Sequence, residues 1–372
     1  MNKCIGFTTT FTNLVALVLF FICFPAILYA QQTSQVEIDN ADTFEGDESL
    51  GKNVSRLLGN VRFKHQGALM YCDSAYLYQE TNSLDAFGRI RIVQGDSINL
   101  SGNFLKYDGN TRVANVIGNV TMTDKTMVLT SSILNYNMNS ETAEYFNGGK
   151  IVDKDNVLTS KNGYYFSKDK MLFFKDSVVL TNPKYVIYAD SLKYHTVTKI
   201  AGFEGPTRIF SLAADSAKIY CEQGWYNTIE EKSSFNKNAW IMSKENRLEG
   251  DSLVYDNKTK VGFGFRNVVI SDTIQKVIIS GDYGYNNDVS KNAWVTGKAL
   301  LTKAFETDSL FLHADTLYAK QDTVTKSRTW MAYKGVRIFK KDLQGKCDSL
   351  VYNASDSTLS FFTEPVLWSE QN

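Results

Sequence analysis

Five tyrosines, Tyr78, Tyr107, Tyr136, Tyr165 and Tyr194, follow one another at a constant interval of 29 residues. A fixed period of this length marks a repeat architecture, in which each unit is one supersecondary element that cannot bury its apolar face alone. The interval then loosens to 26, 35, 30, 33 and 34 through Tyr220, Tyr255, Tyr285, Tyr318 and Tyr352. Ten copies therefore run from about residue 52 to the end of the chain.

Each copy has two halves. The first half reads LSGNFLKYD (100–108), LTSSILNYN (129–137) or LEGDSLVYD (248–256) and closes in a polar tetrad such as DGNT (108–111) or DNKT (256–259), which is a turn. The second half reads VANVIGNVTM (113–122) or VGFGFRNVVI (261–270). In the former, Ala114, Val116, Gly118, Val120 and Met122 share one face while Asn115, Asn119 and Thr121 share the other. Period two over ten residues is a half-buried strand. No segment sustains the i, i+3, i+4, i+7 pattern, and 23 Phe and 20 Tyr against four Pro is the vocabulary of strands and tight turns. The predicted fold is all-β, an elongated jelly roll or solenoid of about ten strand-turn-strand units sharing one interior.

The Asn119 position is taken by Pro206 in EGPTR and Pro365 in TEPVL, and Gly59, Gly88, Gly118 and Gly297 recur beside it. Proline cannot donate to a ladder and glycine admits positive φ, so a bend or bulge is expected there. The Asp-to-Tyr offset is four in Asp190/Tyr194, Asp251/Tyr255 and Asp348/Tyr352 but five in Asp73/Tyr78 and Asp215/Tyr220. A β-bulge in the longer copies would absorb the difference.

The first thirty residues carry Lys3, the apolar run LVALVLFFICFPAIL (14–28) and LYA before Gln31. They read as a secretory signal peptide cleaved after Ala30, with a retained signal anchor as the alternative. Residues 31–51 form a polar N-terminal segment, 52–210 a first set of repeats, and 211–372 a second, more diverged set. After cleavage 39 Lys and Arg remain (40 less Lys3) against 40 Asp and Glu, so there is no positive field for nucleic acid. Cys72, Cys221 and Cys347 remain as well, too sparse for a disulfide scaffold. They read as buried small residues, with one optional bridge.

A catalytic reading of YADSLKYH (188–195), built on Asp190, Ser191 and His195, fails because the histidine has no counterpart in other copies and Ser191 faces away from Asp190. The recurring Asp-Ser reads instead as a turn or strand-entry device in which carboxylate or hydroxyl accepts a backbone N–H. His65, His195 and His313 sit in different copies, and DKDN (153–156) lacks the glycine and distal glutamate of a calcium loop. No catalytic residue, metal or cofactor is predicted, although stacked carboxylates in a polysaccharide-degrading β-helix stay open as an enzymatic alternative. The remaining candidate is the interior, lined by Leu105, Tyr107, Val116, Val120, Leu192, Tyr194, Leu253 and Tyr255, with Phe263 and Phe265 or their alternates. In a closed solenoid this lining packs on itself, as in a structural or adhesive envelope protein. In a sheet pair open along one edge it becomes a trough for acyl chains, each buried CH₂ contributing about 0.8 kcal/mol.

AADSAKIY, YADSLKYH, LEGDSLVYD and HADTLY, together with LLGNV (57–61), VIGNV (116–120) and FRNVV (265–269), resemble the OstA-like family. This is the family of the periplasmic lipopolysaccharide-transport protein LptA and of the N-terminal domain of LptD. The resemblance implies a twisted jelly roll of V-shaped cross-section that shields the acyl chains of lipid A while bridging inner- and outer-membrane components. It also implies pairing through edge strands with other jelly-roll transport proteins, including an outer-membrane translocon. The location it implies is the periplasm of a Gram-negative bacterium, with association to the outer membrane.

Overall fold

The computed structural model describes residues 34–46, 53–95, 98–125, 127–212, 217–242, 246–272, 276–287 and 289–369. The signal-peptide reading and Asp215 lie outside the described residues. Among the described residues every regular element is a strand, and every strand pairing is antiparallel.

Two short strands, β1 (Glu37–Asn40) and β2 (Thr43–Gly46), lie end to end against β3 (Val54–His65). A meander continues through β4 (Ala68–Tyr78), β5 (Ser83–Gln94), β6 (Ile98–Asp108), β7 (Val113–Asp124) and β8 (Met127–Asn137). The next two rungs are each broken in the middle, β9 (Thr142–Tyr145) with β10 (Gly149–Asp153), then β11 (Asn156–Ser160) with β12 (Asn162–Phe166). Long strands resume with β13 (Met171–Asn182), β14 (Tyr185–His195), β15 (Ile200–Ser211), β16 (Lys218–Asn227), β17 (Lys232–Met242) and β18 (Asn246–Asp256). They continue with β19 (Val261–Asp272), β20 (Val277–Asn287), β21 (Asn292–Ala304), β22 (Ser309–Gln321), β23 (Arg328–Lys340) and β24 (Leu343–Asn353). The sheet ends on a last broken rung, β25 (Thr358–Phe362) and β26 (Val366–Ser369).

A crease crosses every long strand at its middle. In β3, β5, β7, β13 and their successors the strand carries one residue more than its neighbours there, as between Leu58 and Val61 or Ile117 and Val120. The surplus is held by two consecutive left-handed residues, Gly59–Asn60, Gly88–Arg89, Gly118–Asn119 or Gly297–Lys298. Pro206 falls inside the shift between Glu204 and Thr207, and Pro365 inside the break between β25 and β26. The bend expected at these glycines and prolines is therefore present. The same pleat on every rung folds one sheet into two facing arms around a shared apolar interior.

The Asp-Ser dipeptides sit on this crease in mid-strand, and not at a strand entry as the sequence suggests. Their carboxylates meet the left-handed residue of the next strand: Arg89 Nε donates to Asp73 at 2.7 Å and Asn267 Nδ2 to Asp251 at 3.2 Å. Backbone N–H groups are taken instead by the tetrads, where Asp108 accepts from Asn110 and Thr111 and Asp256 from Lys258 and Thr259. His195 fills the same role, its Nδ1 accepting from Val197 and Thr198. It thus has structural counterparts after all, in Asp108 and Asp256.

A correction of register follows from the pairing. One cross-strand row on the interior runs Leu77, Leu84, Tyr107, Ala114, Tyr136, Ala143, Tyr165, Leu172, Tyr194 and on to Tyr352. In this row Leu77, Tyr226, Asn286 and Ala319 stand where the tyrosine alignment places Tyr78, Tyr220, Tyr285 and Tyr318. No bulge separates Asp73 from Tyr78; the extra residues belong to β3 and β5. The offset of five arises because Tyr78 points outward beside the buried Leu77.

A substitution at the crease reads out this geometry. Gly88 has φ +72°, and a Cβ there would lie 2.4 Å from Asp73 Oδ2. Gly88→Ala is expected to cost about 1–3 kcal/mol, whereas Gly46→Ala, with open space around it, stays within about 0.5 kcal/mol. Urea unfolding of the two variants measures both.

Candidate functional site

Folding the sheet at its crease brings its two rows of hairpin turns together as a seam. Through the first rungs polar side chains latch that seam. His65 joins the Tyr107 hydroxyl at 2.6 Å and the Ser34 carbonyl at 2.8 Å. Asp124 accepts from the Tyr165 hydroxyl and from Lys170 Nζ. One repeat later Asp153 accepts from Tyr194 at 3.3 Å and from Lys199 Nζ at 2.8 Å. The offsets of 41 and 46 residues are the same in both Asp latches, so the period of the sequence is also the period of the seam. DKDN (153–156) thus supplies a latch carboxylate. Among the described residues no three His, Cys, Asp or Glu gather around a point that could hold a metal.

Next along the seam the polarity inverts. Lys184 now stands on the lip that carried Asp153, 3.5 Å from Glu231, and Tyr185 packs edge-on against Tyr226 with ring centroids 5.7 Å apart. From here the arms part around a cavity of about 1110 Å³, walled by Ile187, Ile209, Ile219, Ile241, Leu248, Ile270 and Ile279. The space arises from side-chain size. The tyrosines of the interior row, Tyr107, Tyr136, Tyr165 and Tyr194, continue as Tyr226 and Tyr255 and then give way to Asn286 and Ala319, while Gly262 and Ala293 stand between them where the latched half has Ala114, Ala143 and Leu172. Gly264 and Gly284 thin the row beside it.

All eight lining residues predicted from sequence face the interior, but in different surroundings. Leu105, Tyr107, Val116, Val120, Leu192 and Tyr194 are buried in the latched half, and Leu253 is buried near its end. Tyr255 alone lines the cavity. Of the other pair, Phe263 and Phe265 lie on the outer face at 38% exposure each, and their alternates Gly262 and Gly264 face the cavity. The isoleucines on the other arm are not visible to sequence reasoning, although a fall from tyrosine to Asn286 and Ala319 in one interior row signals the opening once the register is known. Asp190 packs at the crease against Gly205, remote in role from His195 in its turn. Cys72, Cys221 and Cys347 are free thiols, each buried.

Burial dominates the ionisation of the interior hydroxyls and thiols. It pushes Tyr107 up to about 12 and raises Tyr136, and it raises Tyr165 and Tyr194 with help from Asp124 and Asp153. Cys72 and Cys221 also rise to about 12 by burial. Folded values above unfolded ones mean that neutral rings and thiols stabilise the fold fully below about pH 9–10, and that this contribution is lost as pH rises toward about 12. The urea midpoint is expected to fall steeply across that alkaline window, together with the appearance of tyrosinate absorbance.

A protein-family model described as OstA-like protein matches residues 33–190. Among solved structures, LptH of Pseudomonas aeruginosa, the LptA-homologous periplasmic component of a lipopolysaccharide transport device, aligns at 15% identity and a TM-score of 0.28. That alignment covers 30% of this chain and 82% of LptH. The WD40 domain of SCAP from fission yeast aligns at 6% identity and a TM-score of 0.13 over 91% of each chain. No curated protein matches the chain.

Proposed function

Through residues 33–190 the chain is OstA-like, and on that premise we propose that it is a periplasmic lipopolysaccharide-transport protein that shelters the acyl chains of lipid A. The observation that carries this reading is the cavity of about 1110 Å³ with isoleucine and leucine walls. Ordinary small-molecule sites occupy about 300–1,000 Å³, so several acyl chains are a fitting load. Tyr255 and the isoleucines of both arms take the chains. Leu105, Tyr107, Val116, Val120, Leu192, Tyr194 and Leu253 build the closed segment that holds the arms at a set spacing. The protein itself is no enzyme in this reading, and its work is binding.

Bridging rests on the sheet ends. β26 carries Val366, Leu367 and Trp368 half-exposed along the last rung, and Phe44 is exposed on β2 at the first. Edges with no partner strand among the described residues accept a further strand, so the partners in this reading are other jelly-roll transport proteins, with an outer-membrane translocon among them. Mass spectrometry of lipids co-purifying with the full chain from a Gram-negative envelope tests the proposal. Lipid A species at a substantial fraction of the protein concentration are expected, and a well-folded sample free of them counts against it.

A further inference from the structure

Apolar walls accept acyl chains without regard to what the chains are attached to. The border of the cavity is more selective. Among the described residues Lys184, Arg247, Lys260, Lys291 and Arg328 border it, against one carboxylate, Asp272. This is a local excess on a chain whose 40 basic and 40 acidic residues balance. In the latched half the same two lips carry matched pairs, Asp124 with Lys170 and Asp153 with Lys199. Surplus cations thus occur where the seam is open.

Their partners differ along the border. Lys184 is shared with Glu231 and Arg247 lies 3.0 Å from Glu249, while Lys260 Nζ donates to Asn257 at 2.6 Å. Lys291 and Arg328 form no ion pair with any described residue, and both are exposed. Lys291 belongs to a turn and Arg328 opens the strand after the next hairpin, so the two stand along one lip, whereas Lys320 alternates with the interior Ala319 onto the outer face, where its charge acts on Asp322.

We infer that the trough selects amphiphiles with a phosphate headgroup, the acyl chains lying among the isoleucines and the phosphate held by Lys291 and Arg328. This rests on the acyl-chain reading given above. A phosphate offers several anionic oxygens to lysine and arginine donors in charge-assisted hydrogen bonds. A neutral headgroup offers no such bonds.

Titration of the full chain with three lipids of identical acyl content tests the inference: diphosphoryl lipid A, monophosphoryl lipid A and enzymatically dephosphorylated lipid A. Affinity is expected to fall about tenfold for each phosphate removed, or about 1.4 kcal/mol. Lys291→Glu with Arg328→Glu is expected to weaken the diphosphoryl form at least about tenfold, and to leave the dephosphorylated form unchanged. The single variant Lys291→Gln, at an exposed turn, gives a smaller loss of the same kind if the double variant fails to fold. Equal affinity for all three lipids overturns the headgroup assignment and leaves the trough standing; binding of none overturns both. Inorganic pyrophosphate forms the last arm. If it binds alone and loses its affinity in the double variant, the site belongs to a soluble phosphate and the lipid assignment fails.

Discussion

Asp153→Ala is expected to destabilise the protein by about 3–5 kcal/mol, the cost of leaving one member of a buried ion pair without its partner. Asp153 is 1% exposed in its side chain and Lys199 only 19%, so neither charge is relieved by solvent when the other is removed. Tyr194 loses its acceptor in the same step, which adds an unsatisfied buried hydroxyl. Lys193→Ala, next to Tyr194, breaks an exposed pair with Glu204 and an exposed contact with the Phe173 ring, and is expected to cost less than about 1 kcal/mol. Chemical denaturation of the two variants separates a seam held by latches from one held by apolar packing alone. If Asp153→Ala costs no more than Lys193→Ala, the latch has no energetic role.

Ala293→Trp carries the second large effect. Ala293 lines the cavity between Asn286 and Ala319, where the interior row has lost its tyrosines, so a tryptophan there fills space that lipid would occupy. Capture of lipid A is expected to fall more than about tenfold, a loss of over 1.4 kcal/mol in binding. Stability is expected to change by less than about 1 kcal/mol, because an open trough has room for the ring. In a sealed core the same change would overpack the interior and cost about 1–3 kcal/mol. Lipid titration and urea unfolding of one variant therefore read the same question from two sides.

Much of this architecture was legible in the sequence. Alternation in VANVIGNVTM placed Ala114, Val116, Val120 and Met122 on one buried face, and the recurring glycines and two prolines located the bend. Both signals are local, set by the pleat and by φ, and local signals survive into the fold. Register was less accessible. Tyrosine serves equally on an interior row and on an outer aromatic stack, as Tyr285 does against Trp294 at 5.5 Å. A one-residue error therefore leaves the sequence pattern plausible while turning the side chain to the opposite face. The latches were hidden for another reason. Asp124 and Lys170, or Asp153 and Lys199, meet only because the sheet folds on itself, and no pattern within a strand records which turn will face which.

That division into a latched half and an open one is the central claim, and site-specific photo-crosslinking tests it most directly. A photoreactive residue is placed in turn at Ile241 and Tyr255 in the open segment, and at Leu105 and Val120 in the latched one, in cells making lipopolysaccharide. Lipid adducts are expected from the first two positions and none from the second two. Equal capture from Leu105 and Val120 would show a groove continuous through the latched half and contradict the account.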